Sequence, residues 1–566
     1  MSSGDASDDA SVGVFGLEFR TDRVTLAVVA LAALALLARL VGLGSRPFHW
    51  DEARVGYWAL RYLETGAFEY RLIAGGPLLY HLDRLVFAVL GVSDMTARLP
   101  VAVLGAALPL CALLFRDRFD DAESLVFAAF LAFNPLFVYY SRFLRGDVPL
   151  AFFALAFAGF TLRAYDRRSR RDAYAGSIAL ALAFASSGFA AAYVLCGVVV
   201  VILLVDQPSA VVDGGTSARR LIDSVRSRIA GRTVPAARAF LLFLGTTILC
   251  FAPRAGPHVD VGLTKPTTWH LVLYEATVGA LWSFFGVRVA HRWPHWTHEL
   301  FPYVGDLAGT LATAGLPIVV AAVAVFGWNR YVSSERRPLL DAFAYWSAAA
   351  FAIFPVATEV SAPWVAIHVV LPLSPLAAVG GAALLRRAVS LAGGDERDAT
   401  TVAAVILLLL AVVAQAGAVT ATDVYGPSDR TNELAQFAQP SDDMTALVEN
   451  ATAIADDDPT TPEVLYVGSK YATAWDPGNE FPPVVESWGN RLPLPWYFER
   501  ADADTVSTKN LTTFDERAAN ESTPPIVVSE PGLSGGVGDR LGDAYGSKTY
   551  HLGLWDREVV VFVRQV

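Results

Sequence analysis

Apolar and polar positions alternate along this chain in long blocks rather than within the turns of a helix. Uninterrupted apolar runs lie near 24–43, 98–115, 124–140, 149–163, 173–187, 188–205, 238–253, 305–327, 339–357, 365–385 and 400–421. The first of them, VTLAVVALAALALLARLVGL, has the length of about 20 residues that a helix needs to cross a ~30 Å hydrocarbon core. Runs without a polar face predict helices solvated by lipid and by one another. Eleven such spans predict a polytopic bundle over 24–421, after a short acidic N-terminus, 1–23.

Beyond residue 421 the pattern changes. Asn432–Ala455 carries helical spacing, while Val464–Val467 and Pro525–Val528 read as short buried strands and Glu558–Arg564 as a longer one. Helix alternating with β-branched runs predicts a soluble α/β domain over 422–566, about 140 residues, an ordinary domain size. The fold class expected is therefore mainly α: a helical membrane bundle with a C-terminal α/β domain.

Composition agrees, with 54% hydrophobic residues and a mean hydropathy of +0.42. Charge is split unevenly. The 422–566 tail carries 24 acidic and 10 basic side chains, a net of −14 that leaves +3 for the rest of a chain at −11. An acidic tail on a mildly basic membrane body argues against nucleic acid as a partner. Lysine occurs only at 265, 470, 509 and 548, and few Lys with many Asp suits a protein kept soluble in high salt, as in a halophile. Cys111, Cys196 and Cys250 all fall in apolar runs and read as small core residues.

Arginine clusters fix an expected orientation. Arg167-Arg168-Ser169-Arg170-Arg171, the Arg-rich 206–237 segment, Arg336-Arg337 and Arg386-Arg387 lie between spans, and the positive-inside rule puts them in the cytoplasm. The N-terminus is then cytoplasmic, and loops 44–97, 141–149, 253–304 and 358–364 face outward. An odd number of spans leaves the tail extracellular. Three glycosylation sequons, at Asn450, Asn510 and Asn520, lie in the tail and none in the membrane body. A multi-pass protein of the cell membrane is expected.

The outward loops hold the candidate chemistry. Phe48-His49-Trp50-Asp51-Glu52-Ala53-Arg54 sets two carboxylates among His, Trp and Arg at the membrane surface. A helix starting near Asp51 carries Arg54, Trp58 and Arg61 on nearly one face. Ser141-Arg142-Phe143-Leu144-Arg145-Gly146-Asp147 puts two arginines where the positive-inside bias disfavours them. Guanidinium matches phosphate oxygens in two-pronged geometry, so a phosphate is one reading. Bracing pairs, Arg145–Asp147 or Arg142–Asp51, are the other. Glu359 at the outer end of one span and His368 about a turn into the next are site candidates because ionisable groups at that depth are costly. His291, His295, His298 and Glu299 suggest a metal, but Pro294 interrupts the helix that would align them, and an interfacial segment is the preferred reading.

Together, Phe48-His49-Trp50-Asp51-Glu52, Ser141–Asp147, Glu359…Pro363-Trp364…His368…Leu371-Pro372 and, in the tail, Leu494-Pro495-Trp496-Tyr497 resemble the archaeal flippase-activity-associated glycosyltransferases. These form a branch of the polytopic lipid-linked glycosyltransferases, with the protein O-mannosyltransferases and the lipid A aminoarabinose transferase. The resemblance covers most of the chain. It implies an inverting transfer, on the outer face, from a sugar on polyprenyl (dolichyl) phosphate to a glycan or glycoprotein acceptor in surface-glycan or N-glycan assembly. It also implies roles: Asp51 as base, Glu52 orienting it or the acceptor, Asp147 assisting, and Arg142 and Arg145 holding the lipid phosphate. His49, Arg54, Glu359 and His368 complete the substrate-binding wall. Adjacent carboxylates are able to hold Mg²⁺ or Mn²⁺, but the resemblance requires no metal. This chain departs from the branch at Ser186-Ser187-Gly188-Phe189, where a Lys-Glu pair is usual, and at Val360, where Lys often follows the Glu. These departures keep a non-catalytic, divergent member open as an alternative; a flippase or flippase accessory for lipid-linked sugars is the separate rival.

Overall fold

The structure is a computed structural model that describes residues 11–14, 17–20, 22–72, 75–205, 233–257, 259–285, 300–358, 360–393, 399–455, 462–473, 487–554 and 557–565. Glu359 and the histidines of 291–298 lie outside the described residues. An N-terminal hairpin, β1 (Ser11–Val14) and β2 (Leu17–Arg20), precedes the first long helix, α1 (Arg23–Leu40). Then follow α2 (Trp50–Thr65), α3 (Pro77–Leu90), α4 (Asp94–Ala107, continued as a 3-10 helix to Phe115), α5 (Asp121–Phe133) and α6 (Pro135–Tyr140). The bundle continues with α7 (Asp147–Arg167), α8 (Arg170–Ser186), α9 (Ala190–Val205) and α10 (Thr233–Phe251). Next come α11 (Trp269–Tyr274), α12 (Ala280–Phe285), α13 (Leu300–Ala314), α14 (Leu316–Tyr331), α15 (Pro338–Ala357), α16 (Ala366–Gly393) and α17 (Ala399–Val419).

Each apolar run read from the sequence is helical, but the count of spans differs. Among the described residues seven helices are long and apolar enough to cross a membrane, and eight if α13 and α14, bent by 97°, make one. The reasons are local. Asn134 ends α5 and caps α6, splitting the 124–140 run at Asn134-Pro135. Gly315 ahead of Leu316-Pro317 bends the 305–327 run. Helices α8 and α9 reach only 17 and 16 residues, short of the ~20 a straight span needs. The 44–97 segment, expected to be an outward loop, conversely holds two whole helices, α2 and α3.

Arginines at one end of the bundle are tied to acids: Arg116–Asp22 at 2.6 Å, Arg167–Asp117 at 2.6 Å, Arg337–Glu123 at 2.7 Å and Arg386–Asp120 at 2.7 Å. The candidate residues gather at the opposite end. There the C-terminal domain sits, with α18 (Thr445–Ala455), α19 (Ser487–Arg491), α20 (Leu494–Arg500), α21 (Leu511–Asn520) and α22 (Ser534–Leu541) around one sheet. Its strand order is β4 (Thr505–Thr508), β3 (Val464–Val467), β5 (Ile526–Ser529), β7 (Arg557–Arg564) and β6 (Tyr545–Gly553). Strand β3 pairs parallel with β4 and β5, while β7 runs antiparallel to β5 and β6. Strands β4 and β6 escape the sequence reading because Ser, Thr, Gly and Lys dilute their alternation. The expected helix over Asn432–Ala455 forms only from Thr445, since Asn432 and Asp443 bond their own backbone in turns.

Candidate active site

Two short segments build the site. His49 is the N-cap of α2: its Nδ1 accepts the Asp51 N–H at 3.0 Å, and its own N–H donates to Glu52 at 2.9 Å. This reciprocal box starts the helix at Trp50 and leaves Asp51 in the first turn, at the end of the helix dipole that favours an anion. The second segment, 141–146, joins α6 to α7 and carries Arg145 and then Asp147 in the first turn of α7. Gly146 is required there, because a Cβ would stand 2.1 Å from the Ser186 carbonyl oxygen. The Ser186-Ser187 departure therefore abuts the Arg145-Gly146-Asp147 turn.

The two segments meet at Arg145. Its Nη1 donates to Asp51, its Nε donates to Asp147 at 2.9 Å, and its guanidinium lies over the Trp364 ring at 4.7 Å. Its Nη2 has no hydrogen-bond partner among the described residues. Arg54 stands 3.6 Å from Asp51 and over the Trp50 ring. Asp147 in turn lies 3.6 Å from His368 Nε2, and His368 Nδ1 bonds the Tyr193 hydroxyl at 2.7 Å. A neutral His368 with its proton on Nε2 accepts the Tyr193 hydroxyl proton at Nδ1 and turns its N–H toward Asp147, which lies beyond hydrogen-bond distance. The chain Asp51–Arg145–Asp147–His368–Tyr193 thus links α2, α7, α9 and α16. Burial raises the Asp51 proton affinity, but Arg145, then His49 and Arg54, outweigh it and hold the carboxyl below its usual range. Its side chain keeps 17% exposure against 0% for Glu52, so Asp51 is the carboxylate a substrate can reach.

Three readings are corrected by these contacts. Glu52 does not face a ligand: it pairs with Arg98 through both oxygens at 2.7 Å and also accepts the Leu144 N–H. Arg98 spends its remaining donors on the Leu43, Arg46 and Pro47 carbonyls. Arg142 is not open to a phosphate either. It donates to Val424 O at 2.7 Å, Val41 O at 2.8 Å and Gly42 O at 3.0 Å, so it staples the C-terminal ends of the first and last spans, where a cation is favoured. No Arg142–Asp51 pair forms. His49 is 1% exposed and serves as a cap rather than as a substrate ligand. Because Asp51 and Glu52 diverge, the adjacent-carboxylate cation site is not formed by this pair, and among the described residues no three His, Cys, Asp or Glu side chains converge.

Tyr193 and Arg98 are missed by sequence reading. Arg98 had a signal: it opens an apolar run at the end that the positive-inside rule expects to face outward, the same anomaly that marks Arg142 and Arg145. Tyr193, a lone hydroxyl in an apolar run, had none.

Burial pushes the His49 imidazole down to about 4. Its folded value lies below the ~6.5 of a free imidazole, so the stability this contributes is complete above that value and is lost as pH falls toward 4. Thermal unfolding of the detergent-solubilised protein should show a falling Tm between pH 6.5 and 4, with a smaller fall in His49→Asn, which keeps a capping acceptor but does not titrate.

Comparison with known proteins gives consistent results. Residues 444–564 match the family model for the Agl23 flippase-associated protein C-terminal domain. Residues 74–212 match that for dolichyl-phosphate-mannose-protein mannosyltransferase. The structure resembles ArnT from Cupriavidus metallidurans in the apo state, with 15% identity, TM-score 0.55, and coverage of 96% of this chain and 98% of that one. It resembles the same protein bound to undecaprenyl phosphate at 15% identity and TM-score 0.57, covering 95% and 98%. The Archaeoglobus fulgidus oligosaccharyltransferase in complex with Zn and sulfate aligns at 12% identity and TM-score 0.52, over 94% of this chain and 73% of that one. No curated protein matches the chain. Each family model covers under half of the chain, one in the membrane body and one in the C-terminal region, and the solved structures, all under 25% identical, show that the chain shares their fold.

Proposed function

We propose that this protein is a glycosyltransferase that moves a sugar from polyprenyl phosphate to an acceptor hydroxyl on the outer face of the cell membrane, with inversion. One observation carries the reading: Arg145 is held between Asp51 and Asp147 with one edge of its guanidinium unpartnered among the described residues. That edge fits a phosphate oxygen, and Asp51 stands beside it to take a proton. ArnT, which shares the fold, has been solved with undecaprenyl phosphate bound, in support of a lipid phosphate as the leaving group.

In the step proposed, the acceptor oxygen forms its bond to the anomeric carbon as the bond from that carbon to the phosphate oxygen breaks. The acceptor proton passes to Asp51, and polyprenyl phosphate leaves with its added charge stabilised by Arg145. A phosphate on Arg145 draws the guanidinium away from Asp51. The carboxylate then regains proton affinity, so donor binding switches on the base. Asp147, oriented by His368 and Tyr193, holds Arg145 in place during this exchange.

Outward orientation follows from the positive-inside rule applied to the Arg-rich end opposite the site. A reporter fused at residue 430 should signal from outside, and a cytoplasmic signal would remove the proposed site. Donor binding separates the two arginines. Arg145→Lys keeps charge but loses the two-pronged contact, so affinity for polyprenyl phosphate should drop. Arg142→Lys should lower Tm and leave donor affinity near parental. Equal affinity in Arg145→Lys and the parent would make Arg145 structural and overturn the reading.

A further inference from the structure

The Leu494-Pro495-Trp496-Tyr497 motif lies in the C-terminal domain, far along the chain from Asp51, and the proposed chemistry does not use it. Its helix, α20, nevertheless docks on the segment that aims Asp51. The Tyr497 hydroxyl accepts the Phe48 N–H at 2.8 Å, one residue before the His49 cap. Trp496 is fully buried and stacks on Phe48 with ring centroids 4.7 Å apart and planes 8° apart. The other side of Phe48 meets the Arg98 guanidinium at 4.7 Å, so its ring is wedged between the C-terminal domain and the Arg98–Glu52 pair. Helix α2 approaches so closely that a Cβ at Gly56 would stand 2.9 Å from Trp496.

Two further contacts reach the same segment, and bonds to Asp94 anchor α20 itself. Gln439 donates to Pro47 O at 2.9 Å. The Trp50 indole donates to Gly489 O at 2.7 Å, and its ring carries Arg54, which stands beside Asp51. Asp94, at the start of α4, accepts from Trp496 at 2.9 Å and Arg500 at 2.6 Å, fixing α20 to the membrane body.

We infer that the C-terminal domain is a positioning element for the membrane active site, with Tyr497 and Trp496 setting the aim of Asp51 through Phe48 and the His49 cap. Neither residue touches a substrate in this account; both act through the backbone of 47–50. The Tyr497 hydroxyl and the Trp496 ring are the contacts made on Phe48 itself, so removing either loosens the residue next to the His49 cap, while the donor clamp on α7 is untouched.

The test compares full-length Tyr497→Phe with the parent in detergent or vesicles. Tyr497→Phe keeps the ring and removes the acceptor of the Phe48 N–H, together with a longer 3.3 Å bond that the hydroxyl donates to Asp94. Hydrogen–deuterium exchange should quicken across 46–52, with Tm near parental. Where the parent transfers sugar, kcat should fall by at least ~10-fold, since misplacement of about 1 Å can cost 10²-fold, with the donor KM unchanged. Glu499→Gln breaks another junction of the two domains, the 2.8 Å Arg61–Glu499 pair, and should lower Tm without lowering kcat. Parental exchange across 46–52 in Tyr497→Phe overturns the inference, as does a parental kcat. So does a kcat loss in Glu499→Gln as large as in Tyr497→Phe, since the junction would then be merely structural. The kinetic arm rests on the transferase reading, whereas the exchange arm does not. A parent that transfers nothing therefore counts against that reading, and exchange still decides the brace.

Discussion

Asp51→Asn should lower the rate of sugar transfer by ~10²–10⁴-fold, the range a positioned general base typically contributes. The substitution is nearly isosteric and leaves Arg145 its 2.9 Å bond to Asp147, so the fold should persist. Donor affinity should hold or tighten, because Arg145 is no longer shared with a second carboxylate. The kinetic signature is a fall in kcat without a rise in KM, which marks an interaction made in the transition state. Steady-state transfer and polyprenyl-phosphate binding on the same preparation check both halves. Transfer at the parental rate would exclude Asp51 as the base. Glu52 would not replace it, since both of its oxygens are already bound by Arg98.

Glu52→Ala should cost more in folding than any other single change at the site. It leaves Arg98 buried at 0% exposure without its carboxylate, and breaking one partner of such a pair typically costs about 3–5 kcal/mol. The His49 and Leu144 N–H groups lose their acceptor as well. Little folded protein should be recovered, and what remains should melt well below the parent. Glu52→Gln, able to accept but not to neutralise Arg98, should fall between. A Glu52→Ala protein with parental Tm and reduced transfer would return Glu52 to the catalytic group.

Long apolar runs and the Arg-rich loops made the membrane body legible in the sequence, because lipid imposes so strong a constraint on spans. Breaks inside those runs were less so: Asn134-Pro135 and Gly315 divide helices by capping and backbone freedom that hydropathy does not register. In the tail, β3, β5 and β7 announced themselves by β-branched density, whereas β4 and β6 did not. At the site, the rule that outward arginines need a reason picked out Arg142 and Arg145 together, and both are buried and bonded in the structure. It could not tell them apart, since their roles depend on what faces them: helix-end carbonyls for Arg142, two carboxylates for Arg145. The Asp51-Glu52 pair shows the same limit. Adjacent residues on a helix point about 100° apart, so one carboxylate turns outward and the other into the Arg98 pair. The partnership of Tyr497 with Phe48 spans nearly the whole chain and no local pattern encodes it.

The central claim is that the protein breaks the bond between a sugar and polyprenyl phosphate. Mass spectrometry of lipid-linked and mature glycans in a deletion strain tests it most directly, with the strain complemented by the parent or by Asp51→Asn. The account predicts accumulation of a polyprenyl-phosphate monosaccharide and mature glycans lacking that one sugar, restored by the parent and not by Asp51→Asn. Unchanged glycans in the deletion strain, or full restoration by Asp51→Asn, would contradict it.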